Sequence, residues 1–190
     1  MKTTKFLFVL FSFVGLLLVS CSDEPQSPVT PMDQTSLEKV IITNFTFSHF
    51  PIALTGEGTI KLVGNNWILK DVGVIELVTS SDPFVAGTIT HHLSATFNAV
   101  TGEGPVHGYW SLVPEANTEG GVFEGNYTGF RSKMPSSDTL FVLPLRLNGH
   151  GRGGTIQGMQ IQYNSNIIAW GTPPVGWYGS GDGFYKSNGN

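Results

Sequence analysis

"VAGTITHHLSATFN", residues 85–98, decides the fold. Val85, Gly87, Ile89, His91, Leu93, Ala95 and Phe97 fall on one side of an extended chain. Ala86, Thr88, Thr90, His92, Ser94, Thr96 and Asn98 fall on the other. Successive side chains of a strand point to opposite faces, so this stretch predicts a long, half-buried β-strand. "TLFVLPLRLN", residues 139–148, repeats the pattern, with Phe141, Leu143, Leu145 and Leu147 on one face. Leu140 and Val142 make its other face apolar as well, which suits a covering loop and a homo-oligomer interface equally. Pro144 donates no backbone hydrogen bond and so favours an edge or a bulge there.

Working outward, further strands are expected over 40–47, 58–63, 67–79, 106–113, 121–130, 155–163 and 177–185. Between them stand glycine-rich stretches: "TGEGTI" from Thr55, "TGEGPV" from Thr101, "TEGGVFEG" from Thr118 and "GHGRGGTIQG" from Gly149. They read as hairpin turns and sheet corners, where glycine supplies positive φ and close backbone approach. A phosphate-binding loop would open a helix, and no helical period follows any of them. The chain carries 24 glycines and only 13% charged residues, which fits β-structure with tight turns. Successive amphipathic strands with short connections predict an all-β fold, an antiparallel up-and-down β-barrel of about eight strands. Closure removes the exposed edges.

The stretches "GEGTIKLVGN", "GTITHHLSATFNAVTGEG", "GGVFEGNYTG" and "GHGRGGTIQGMQIQY" resemble the glycine-punctuated strands of the allene oxide cyclase and dirigent-like barrels, a calycin-like group. The resemblance spans residues 56–163. It implies a mostly apolar barrel interior, and it permits a cyclase- or isomerase-like activity there.

The beginning of the chain reads differently. Lys2 and Lys5 precede an apolar run over residues 6–19, shorter than the roughly 20 residues of a membrane span. "LVSC" then places Cys21, the only cysteine, directly after it. This resembles a bacterial lipoprotein signal, which implies cleavage after residue 20, acylation of Cys21 and attachment to the outer membrane through the lipid anchor. The acidic pair Asp23–Glu24 resembles the surface-export signal of Bacteroidota lipoproteins. Residues 21–36 are polar, hold three prolines and read as a flexible tether. The barrel domain is expected over 37–190. Losing residues 1–20 with their two lysines takes the formal charge from −4 to −6. The remaining cations are scattered, which argues against nucleic acid as a partner.

Candidate chemistry is sparse. His91 and His92 are adjacent, so on a strand they face opposite ways and cannot chelate one ion. His91 shares the apolar face with Ile89 and Leu93, where it could orient a ligand or act as an acid or base. His49, His107 and His150 read as lying near strand ends. No metal-ligand spacing and no G-x-S-x-G elbow is present, so neither a metal nor another cofactor is expected. The expected partner is a small hydrophobic ligand inside the barrel. His91, Phe97, Trp110 and Phe141 are the interior candidates, with Tyr109 and Arg131 as polar or rim contacts. Trp170, Trp177 and Tyr178 form an alternative: a glycan-binding or scaffold surface.

Overall fold

The computed structural model describes residues 39–116 and 119–189. Cys21, the signal and the tether lie outside them. Nine strands follow one another: β1 (Lys39–Leu54), β2 (Thr59–Val63), β3 (Asn66–Ser80), β4 (Gly87–Asn98), β5 (Gly104–Pro114), β6 (Val122–Lys133), β7 (Leu140–Arg152), β8 (Gln160–Trp170) and β9 (Gly176–Gly189). From β3 to β9 each strand pairs with the next, and β1 pairs with both β9 and β3. All pairings are antiparallel. The sheet therefore closes into an up-and-down barrel of eight staves. β2 continues β1 along the same edge of β3, so the two together make one stave.

The break between β1 and β2 has a local cause. Gly56 and Gly58 both sit at φ +82°, and the β3 bulge at Asp71 (φ +53°) lies against Gly58. Residues 70 and 71 drop out of register between Leu69 and Val72. The bend uses the conformational freedom glycine has at positive φ.

The alternation over 85–98 matches the structure from Gly87 onward: Ile89, His91, Ala95 and Phe97 are buried. Val85 precedes the strand but is buried as well, at the end of the barrel that also holds the buried Ile156 of the turn between β7 and β8. The strand expected over 155–163 begins only at Gln160, because a single 3₁₀ turn occupies Gly154–Ile156. Pro144 is on an interior strand. The β6–β7 ladder lapses at Phe130 and Arg131, opposite Pro144 and Leu143, where the proline has no N–H to give. Leu140 and Val142 stand half-buried on the outer face, with Val142 in one cross-strand row with Ile168 and Tyr178.

Inside, large residues meet small ones across the pairs. Trp110, 1% exposed, lies over Gly149, whose missing Cβ makes room for the indole. Leu145 pairs with Gly129 and Phe123 with Gly151 in the same way. One end of the barrel carries the β4–β5 turn (99–103), the β6–β7 turn (134–139) and the β8–β9 turn (171–175). The other carries the start of β1 and the end of β9, where Lys39 pairs with Gly189.

Candidate functional site

Four strands each place a polar residue in the inward phase of an otherwise apolar run. On β1 it is His49, after Phe45 and Phe47. On β3 it is Glu76, between Val74 and Val78. On β4 it is His91, after Ile89, and on β8 Ser165, between Tyr163 and Ile167. Register brings them together, since Pro51 and Ile89 flank Glu76 while His49 pairs with Val78 and His91 with Val74. His49 Nδ1 makes a short hydrogen bond to Glu76 Oε2. His91 Nε2 stands 3.5 Å from the same oxygen. The indole N–H of Trp177 donates to Glu76 Oε1 at 2.6 Å. His49 Nε2 lies 2.8 Å from the Ser165 hydroxyl.

Glu76 is 3% exposed. Burial pushes its carboxyl up, but the charge of His91 and the hydrogen bonds from His49 and His91 outweigh that and hold it well below the usual carboxylate range. A carboxylate only accepts, so His49 Nδ1 carries the proton between them. On the other side of the ring, Nε2 and the Ser165 hydroxyl share a hydrogen bond in which either can donate. The result is a buried, ionised carboxylate with two imidazoles and an indole around it, a cluster of the kind found at functional sites.

Beside this cluster is a cavity of about 60 Å³. Glu76 and His91 form part of one wall, Phe97, Val106, Leu143 and Ile167 supply apolar surface, and Pro174 and Trp177 lie towards the β8–β9 turn. On the other side of His91, a smaller void of about 20 Å³ is bounded by His49, Tyr163 and Ser165. Such a volume takes about one water molecule. The Tyr163 hydroxyl has no hydrogen-bond partner among the described residues, and burial pushes this phenol and that of Tyr127 well up.

Arg131 also lines the larger cavity and is fully buried. Its guanidinium stacks on the rings of Phe141 and Phe97, 3.7 and 4.9 Å from their centroids. Nη1 donates to Gly102 O at 3.0 Å, and Nη2 makes a short bond to Gly171 O, tying the β4–β5 and β8–β9 turns together. Desolvation pushes its pKa down to about 10.

His91 therefore belongs to the polar cluster and Phe97 to the cavity wall. Trp110 packs against Tyr163, while Phe141 backs Arg131. Arg131 is buried between the cavity and the two turns it bonds at that end of the barrel. Tyr109 is a correction to the sequence reading. It neighbours the inward Trp110, so it faces out, 49% exposed and stacked on His92 at 4.3 Å. Trp177 is turned inward to Glu76, which separates it from Trp170 and Tyr178 on the outer face. His107 and His150 are exposed. His49, placed near a strand end by the sequence reading, sits well inside β1, and Glu76 was not a candidate at all. Both carried a visible signal: a polar residue in the apolar phase of an alternating strand.

No protein-family model, curated protein or solved structure matches the chain. The closed antiparallel barrel is consistent with a calycin-like fold. The chemistry has to be argued from its own residues.

Proposed function

We propose that this chain is a lipoprotein, anchored through Cys21 at a bacterial outer membrane, whose barrel holds a small, mostly apolar ligand. The observation that carries the binding reading is the cavity beside Glu76 and His91: apolar walls with a few convergent polar groups are what small-molecule sites offer. Its volume is less than half of the roughly 150 Å³ that accepts benzene, so the ligand is compact. Access follows from the pairing. β1 loses its β9 partner after His49 and runs on to Leu54 held by β3 alone, leaving a free edge beside Trp177 and the β8–β9 turn. Displacing Pro174 and Trp177 opens the cavity at that seam. The anchoring reading rests on the resemblance of residues 1–24 to a lipoprotein signal.

A second reading is supported by Glu76 itself. An ionised carboxylate touching two imidazoles beside a cavity can move a proton at a bound molecule, as a cyclase- or isomerase-like enzyme would require. One pair of variants separates the two readings. Under pure binding, His91→Phe and Glu76→Gln leave the captured molecule unchanged in mass and structure, as the wild type does. Under turnover, the wild type converts it and both variants hold it unconverted.

A further inference from the structure

We infer that the ligand is an anion: the cavity is a site for a short-chain carboxylate, with Arg131 as its counter-ion. This rests on the ligand-binding reading above and names the ligand's chemistry.

Two charged side chains reach the cavity, and they are treated differently. Glu76 is met by two imidazoles and an indole N–H. Arg131 is just as deeply buried, yet no carboxylate lies within ion-pair distance of it among the described residues. Its polar partners are two backbone carbonyls, and its Nε–H has none. Buried charges in proteins are ordinarily paired, because taking an ion out of water without a partner is costly. The guanidinium stands over the rings of Phe141 and Phe97, and its unpartnered Nε–H is the donor left for an acceptor. A carboxylate matches such a donor, and one guanidinium balances one negative charge. A phosphate dianion would set its second charge against Phe97, Val106 and Leu143. A void of about 60 Å³, well below what benzene needs, suits a carboxylate no longer than acetate. Because Arg131 is already held by the carbonyls of Gly102 and Gly171, it is positioned before the ligand arrives.

The test is calorimetric titration of the full chain with sodium acetate and, separately, with acetamide, which has nearly the same shape and no charge. The expected result is acetate binding about tenfold or more tightly than acetamide, with that preference lost in Arg131→Met. If Arg131→Met fails to fold for want of its clamp on the two turns, the wild-type comparison decides alone. Acetamide binding as tightly as acetate overturns the anion inference and leaves the ligand-binding reading standing. Neither probe binding at millimolar concentration overturns both.

Discussion

The indole N–H of Trp177 donates to Oε1 of Glu76 at 2.6 Å, joining residues 101 positions apart. The bond spans from the start of β9 to β3, over the stretch where β1 has lost its β9 partner. It closes the seam of the barrel at the cavity and gives the buried Glu76 carboxylate a further donor.

Trp177→Phe keeps the aromatic bulk and removes that donor. A hydrogen bond to a charged group contributes about 1.5–3 kcal/mol, so urea denaturation should show a loss of that order. Stability within about 0.5 kcal/mol of wild type would mean that the bond contributes little to closing the seam.

Glu76 also sets an acid limit. Its folded pKa is depressed below the unfolded value of about 4.3, so its contribution is present above that value and is lost as pH falls. The unfolding free energy should decline on acidification below about pH 5, and Glu76→Gln should flatten the decline. The same variant takes the carboxylate from the donors of His49 and Trp177, lowering stability near neutral pH by about 1–3 kcal/mol. Equal slopes in wild type and variant would assign the acid response to other groups.

The corner between β1 and β2 offers an internal control. Gly56 and Gly58 share φ +82°, but a Cβ at Gly56 meets open space while one at Gly58 runs into the Asp71 carbonyl. Gly56→Ala should cost about 1 kcal/mol, from the backbone conformation alone. Gly58→Ala should cost clearly more, and thermal denaturation of the two variants side by side would show it. Equal losses would mean that the β3 bulge yields freely.

The anchor is testable by fractionation. If Cys21 carries the anchor as proposed, Cys21→Ala should move the protein from the membrane to the soluble fraction and abolish incorporation of an acyl label. Continued labelling of Cys21→Ala would place the modification elsewhere.

The fold was legible because alternation on strands such as 87–98 is decided by burial on one face, and a closed barrel lets most strands keep that period. Where bulges intervene, at Asp71 and between Pro51 and Ala53, the period slips, and simple counting loses the face. The site was half legible. His91 announced itself as a polar residue among apolar ones of the same phase, and the same rule applied to "VGVIELV" would have found Glu76. What no rule of that kind contains is register. That His49, Glu76 and Ser165 meet depends on how β1 and β3 are staggered and on His49 reaching over Gly179 of β9 to β8, which the sequence does not display locally. Tyr109 could have been resolved by parity alone: it neighbours Trp110, so only one of the two can face in.

The most direct test is native mass spectrometry of the Cys21→Ala chain after incubation with the water-soluble small-molecule fraction of a cell-envelope extract, beside the same chain carrying Ala169→Phe. Ala169 is buried and lines the cavity, so the phenyl ring fills the space a ligand needs. A discrete added mass on the first protein and none on the second is the predicted result. No added mass on a folded barrel, or the same mass on both proteins, would contradict a ligand held inside it.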